Sequence, residues 1–180
     1  SNIHLSDGVY ELDSTKSISS YNAFIGKSME NTIITYKNTN NLFSNKGTLI
    51  LNNLTIKGAS IYNSKNLIAD NVIFKDSNAD YGGSIYSFEA NVNISNSYFI
   101  NNSARLGGAL CDLGSNIFLI NITAINNSAI YQGGAIYNMY AKLNLNSSVP
   151  YDAEYAILLT FQSLAKSKNN GFHDFQHSIH

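Results

Sequence analysis

The sequence predicts an all-β fold, a right-handed parallel β-helix with coils of about 25 residues and a short C-terminal helical segment. Three observations predict it. A Gly-Gly motif recurs as Gly82-Gly83-Ser84-Ile85-Tyr86, Gly107-Gly108-Ala109-Leu110-Cys111 and Gly133-Gly134-Ala135-Ile136-Tyr137, at spacings of 25 and 26. Other columns keep that register. Asn101-Asn102-Ser103-Ala104 returns as Asn126-Asn127-Ser128-Ala129, with Ser77-Asn78-Ala79 one coil earlier. Asn71, Asn96 and Asn121 form a further column, and Phe74 and Phe99 another. Finally, the apolar residues between these motifs alternate with a period of two, as in Val92/Ile94, Ile117/Leu119 and Leu143/Leu145, which is a strand signature.

Toward the N-terminus the rhythm is less regular. Val9-Tyr10-Glu11-Leu12, Ile33-Ile34-Thr35, Leu49-Ile50-Leu51 and Leu54-Thr55-Ile56 read as strands, punctuated by Gly8, Gly26, Gly47 and Gly58. The step from Asn53 to Asn71 is only 18 residues, so that coil is expected to have one tighter corner. In the regular coils, about three short strands are separated by Asn, Ser or Gly. The glycine pair supplies positive φ or close backbone approach at a corner, and corner asparagines bond nearby backbone with their amides. Strands this short pair only with their copies in the coils above and below, about 4.8 Å away. The column Ile61/Ile85/Leu110/Ile136 is expected to point inward. Tyr62/Tyr86/Cys111/Tyr137 then alternates to the outer face, as rings covering one another. Asn63/Ser87/Asp112/Asn138 follows as a polar column suited to a side-chain hydrogen-bond ladder. Residues 1–148 are thus read as the β-helix. After Pro150 the pattern stops, and 149–180 reads as a partly helical cap or tail, with Asp152 capping a helix over 153–166.

Composition agrees with this reading and excludes several functions. Charged residues are 13% of the chain, while 27 Asn and 23 Ser supply polarity without charge. A net charge of −1 gives no electrostatic footprint for nucleic acid or anionic lipid. The single cysteine, Cys111, excludes an internal disulfide framework. No apolar run is long enough to span a membrane. Ser1 to Leu5 opens directly into strand-like sequence, as expected of a piece of a longer chain.

The phrase from Tyr98-Phe99-Ile100-Asn101-Asn102 to Gly107-Gly108-Ala109-Leu110, with its echo ending Gly133-Gly134-Ala135-Ile136-Tyr137-Asn138, resembles the F-x-N-N-x-A-x-x-G-G-A-I-Y repeat of polymorphic outer-membrane proteins. It looks still more like the Asn/Thr-rich adhesin-like surface proteins of methanogenic archaea. The opening Asp7-Gly8-Val9-Tyr10-Glu11-Leu12 and Asn31-Thr32-Ile33-Ile34 are similar to the first coils of the pectate-lyase-like β-helix superfamily. The resemblance covers residues 1–148 and implies an extracellular or cell-surface β-helix with an adhesive or structural role. It marks a scaffold and identifies no active site.

Candidate site residues are few. Asp80 and Asp112 are the carboxylates that could share a groove, as the enzymes of this superfamily require, but the only arginine is Arg105 and no second carboxylate stacks on Asp112. Solvated corner residues are the simpler reading. His173, His177 and His180 share one face if the tail is helical, which makes a metal site geometrically possible; a frayed chain end argues against it. No cofactor is expected. Cys111 has no electropositive neighbour that would activate it. Six N-x-S/T sequons, at Asn53, Asn93, Asn101, Asn121, Asn126 and Asn146, arise readily in so Asn-rich a chain, and a glycan fits only at an outward position. The binding candidates are the outer tyrosines Tyr62, Tyr86 and Tyr137 with Asn138, because ring faces pack on apolar sugar faces while amides bond hydroxyls. Three functions follow: a non-catalytic adhesin-like module meeting surface glycans or partner-cell proteins, a fragment of a polysaccharide lyase or glycoside hydrolase, and a spacer without ligand.

Overall fold

The computed structural model describes residues 1–140 and 142–146 together with the short segments 149–150, 157–159 and 164–167. These residues form an all-β parallel solenoid of about 6 turns. The first coil holds β1 (Asn2–Leu5), β2 (Gly8–Leu12) and β3 (Lys16–Ile18); the second holds β4 (Tyr21–Gly26), β5 (Thr32–Tyr36) and β6 (Phe43–Asn45). The third coil is short, with β7 (Thr48–Lys57) and β8 (Ile61–Asn63), and the fourth has β9 (Asn66–Lys75) and β10 (Ile85–Phe88). Next come β11 (Asn91–Ile100), β12 (Ser103–Leu106) and β13 (Leu110–Leu113), then β14 (Asn116–Ile125), β15 (Ser128–Gln132) and β16 (Ile136–Met139). Strands β17 (Lys142–Asn146), β18 (Val149–Pro150), β19 (Ile157–Leu159) and β20 (Leu164–Ser167) complete the described residues.

Each strand pairs in parallel with its counterparts in adjacent coils. The order β1-β4-β7-β9-β11-β14-β17-β20 runs through one sheet and β3-β6-β8-β10-β13-β16-β19 through a second. Register follows the repeat: Ile85 pairs with Leu110, Val92 with Ile117 and Phe99 with Phe74. A third face, β12-β15 with single bridges from Asn78 and Tyr81 of the fourth coil, is confined among the described residues to the fourth, fifth and sixth coils. The third coil passes from Lys57 to Ile61 with no such face, so the expected tighter corner is a side left out.

The corners explain the composition. Each full coil turns at four residues with positive φ: Asn71, Asp76, Gly82 and Glu89, then Asn96, Asn101, Gly107 and Gly114, then Asn121, Asn126, Gly133 and Tyr140. The first of these sits inside a ten-residue strand and bends it, which a left-handed residue does without ending the pairing. Asparagine tolerates that conformation and also links coils: Asn71 Nδ2 donates to Asn53 Oδ1 (2.7 Å), and Asn121 Nδ2 to Asn96 Oδ1 (2.9 Å). The second glycine of the pair answers a different need. A Cβ on Gly108 would lie 2.1 Å from the Gly134 carbonyl oxygen, so the coils approach too closely there for any side chain.

The core is one continuous apolar column system. Ile61, Ile85 and Leu110 are fully enclosed, with Ile136 nearly so, and Phe74 stacks on Phe99 at 4.9 Å and 14°. The polar column Asn63/Ser87/Asp112/Asn138 also points inward and is wholly buried. It forms the expected ladder in part: Asn45 Nδ2 donates to Asn63 Oδ1 (2.8 Å), and Asn63 Nδ2 donates to Ser87 Oγ (3.3 Å). The same amides hold the next corner, since Asn45 and Asn63 donate to the Asn66 and Asn91 carbonyls. A second internal ladder runs through Asn102 and Asn127, with Asn102 Nδ2 donating to Asn127 Oδ1 (3.0 Å) and the Phe74 carbonyl (3.0 Å).

The helix expected over 153–166 falls mostly outside the described residues. Its described parts, Ile157–Leu159 and the start of Leu164–Ser167, are strands that pair with β16 and β17, so there the helix gives way to strand. Parallel stacking on the edge left open by the preceding coil satisfies their backbone groups.

Candidate binding surface

Sheet β8-β10-β13-β16 and the third face meet at the Gly-Gly corner, where side chains from before and after the glycines touch. Tyr81, just before Gly82, reaches Tyr86 at a ring-centroid distance of 5.6 Å, and Tyr86 reaches Tyr62 at 5.6 Å. Leu106, just before Gly107, packs on Cys111 and Tyr137 with Leu113 and Met139. The result is a crease lined by tyrosines. Tyr81 stands 46% exposed, Tyr62 and Tyr86 are half-buried, and desolvation raises the Tyr86 phenol above its ordinary pKa.

This geometry corrects three expectations. Tyr137 belongs to the outer column, yet it is only 5% exposed, because it clusters with Cys111 and the pair is packed by Tyr86, Leu106, Leu113 and Met139. Asn138 does not accompany the tyrosines; as the next residue in an alternating strand it points into the coil and is buried. The rings of the column are tilted by 50° between Tyr62 and Tyr86 rather than laid flat upon one another.

Asp80 and Asp112 do not share a groove. Asp80 is an exposed corner residue, whereas Asp112 is completely enclosed inside the coil, so the solvated reading holds for the first and fails for the second. Asp112 Oδ1 accepts the Ser115 N–H at 3.1 Å, while Oδ2 is buried with no partner among the described residues. Burial pushes its carboxyl up to about 7 against the lowering effect of Ser115. Cys111 beside it is likewise buried, and desolvation together with Asp112 pushes the thiol up to about 12, so it stays protonated and unreactive at neutral pH. His173, His177 and His180 lie outside the described residues; among the described residues no three His, Cys, Asp or Glu side chains gather in a metal-ligating group.

Two features of this surface had no signal in the alternation. In β15 the 26-residue coil places its extra residue as a bulge, so that Arg105 faces both Ile130 and Tyr131. The guanidinium then lies 5.3 Å from the centre of the Tyr131 ring, and its Nη2 donates to the Tyr131 hydroxyl at 3.3 Å. The unequal Gly-Gly spacings announce the extra residue but not where it goes. The part of Tyr81 is the second feature, since it depends on the angle between two faces.

Residues 125–139 match the family model for the Chlamydia polymorphic membrane protein repeat. The matched segment spans the end of β14, the bulged β15, the Gly-Gly corner and β16, and together with the parallel solenoid it fits a β-helix of the polymorphic-membrane-protein kind. No curated protein matches the chain. Among solved structures, ORF18 of Geobacillus virus E2 is similar at a TM-score of 0.39 and 14% identity, over 91% of this chain and 48% of that one. The chain therefore spans about half the length of that protein. No described helix is long and apolar enough to cross a membrane.

Proposed function

We propose that the chain is a non-catalytic module of an extracellular, cell-surface adhesin-like protein, built as a right-handed β-helix that serves as a stiff scaffold and presents the tyrosine crease to a glycan or a partner surface. The observation that carries this reading is the match of 125–139 to a membrane-protein repeat, because those residues span the Gly-Gly corner whose counterpart two coils earlier carries Tyr81 and Tyr86. Stacked coils give a long rigid body whose lateral faces repeat at every step. Half-buried tyrosines held by their neighbours offer large contact area with little side-chain entropy left to lose on binding. Asp112 supports the non-catalytic part, since an enclosed carboxyl touches no substrate.

A glycan and matrix-protein array tests it. Binding is expected for the wild type and is expected to drop in the Tyr62→Ala/Tyr86→Ala variant. Turnover of a polysaccharide that disappears in Asp80→Asn would instead establish the carbohydrate-active enzyme, and absence of any binding would leave only the spacer.

A further inference from the structure

On the first sheet, away from the tyrosines, the outward column reads Ile68, Asn93, Phe118 in successive coils. Ile68 is 40% and Phe118 45% exposed, and the shorter Asn93 between them opens a notch of about 410 Å³. One side of the notch is a chain of neutral donors and acceptors. Asn91 Nδ2 donates to Asn66 Oδ1 (3.1 Å), and Asn66 Nδ2 donates to Thr48 Oγ1 (3.3 Å). Each of these amides keeps a second hydrogen and a second lone pair for an outside partner. The Asn93 amide is exposed and makes no hydrogen bond among the described residues.

We propose that this notch binds a neutral saccharide, with one pyranose ring seated over Asn93 between Ile68 and Phe118. The chemistry selects that class. Ile68 and Phe118 stand two coil steps apart, roughly 9.6 Å, which leaves about one ring thickness between them once their own side chains are counted. The ring of Phe118 offers a flat apolar face to sugar C–H groups. Asn93, Asn91 and Asn66 offer donors and acceptors to hydroxyls. A purely apolar ligand would desolvate those amides without replacing their bonds with water. No Asp, Glu, Lys or Arg lines the notch, so a charged ligand finds no counter-ion. Its volume lies in the lower part of the range of about 300–1,000 Å³ typical of small-molecule sites. The inference rests on the reading of the chain as a surface module that meets glycans, but it uses a different face from the crease.

The test is a titration of unglycosylated, isotopically labelled protein with short neutral oligosaccharides based on glucose, galactose, mannose and N-acetylglucosamine, followed by amide NMR. At least one series is expected to shift the amides of Ile68, Asn91, Asn93 and Phe118. Phe118→Ala and Asn93→Asp are each expected to weaken that binding about tenfold or more while leaving the remaining amide spectrum in place. Whatever it loses at the crease, the Tyr62→Ala/Tyr86→Ala variant is expected to keep the shifts at Ile68, Asn91, Asn93 and Phe118, which lie on the other sheet. Shifts confined to the crease and lost only in the tyrosine variant would overturn the notch and leave the surface-module reading standing. Uronate oligosaccharides binding more tightly than neutral ones, or no shift at the notch with any neutral sugar at millimolar concentration, would also overturn it.

Discussion

At Asp112 the fold sets an ionisable group into a column otherwise filled by neutral amides and hydroxyls. Its carboxyl is raised from 3.8 to about 7, so the folded state favours the protonated form. Between those values the native state binds more protons than the unfolded chain, and stability falls as pH rises from about 4 to about 7, then levels off. Three units at roughly 1.4 kcal/mol each put the effect at about 4 kcal/mol or less. Asp112→Asn is expected to raise stability near neutral pH by a few kcal/mol and to remove this slope, read as the difference between the two proteins' urea midpoints across the range. The glycines divide by the same close reading of surroundings. Gly108→Ala drives a Cβ to within 2.1 Å of a carbonyl oxygen of the next coil, whereas Gly114→Ala meets nothing closer than the Glu89 Cγ at 3.4 Å. The first is expected to cost at least about 3 kcal/mol or prevent folding. The second costs only the left-handed backbone strain of about 1–2 kcal/mol, and chemical denaturation of the pair checks the contrast.

Strands and corners in this chain are held by different chemistry on the two sides of the wall. Outward ladders such as Asn121 to Asn96 are exposed to water and contribute little, while the inward ladder through Asn102 is sealed. Asn102 bonds the Phe74 carbonyl and Asn127, and its Oδ1 accepts the Ser77 N–H. Asn102→Ala strands these partners in the core and is expected to cost about 2–4 kcal/mol, against less than about 1 kcal/mol for Asn121→Gly, measured by denaturant midpoint at constant m-value. The positions of such elements were largely legible in the sequence, because alternation names the inward columns and a Cβ at Gly82, Gly107 or Gly133 would run into a backbone oxygen. Two things escaped it. Alternation says that Tyr137 faces outward but cannot say that its cluster with Cys111 is covered, and polarity alone does not mark the Asn63/Ser87/Asp112/Asn138 column as interior. The aromatic crease and the Arg105–Tyr131 contact likewise depend on the angle between faces and on the site of a bulge, which are tertiary facts.

Across the whole molecule, the coils stack as a nearly one-dimensional array in which each contacts chiefly its neighbours. That arrangement makes one outer face into a tyrosine crease and another into a notch without disturbing the core. It also ties every functional statement to the stacking step, since Tyr62 meets Tyr86, and Ile68 frames Asn93 with Phe118, only if the coils lie in this register. The step itself is directly measurable. Proton–proton contacts across the first sheet are expected to link Leu49 with Leu67, 18 residues apart, and then Leu67 with Val92 and Val92 with Ile117, each 25 apart, in the parallel pattern. Contacts joining Val92 to residues nearby in the chain in an antiparallel hairpin pattern, or an unbroken step of 25 through Leu49, would contradict the solenoid described here.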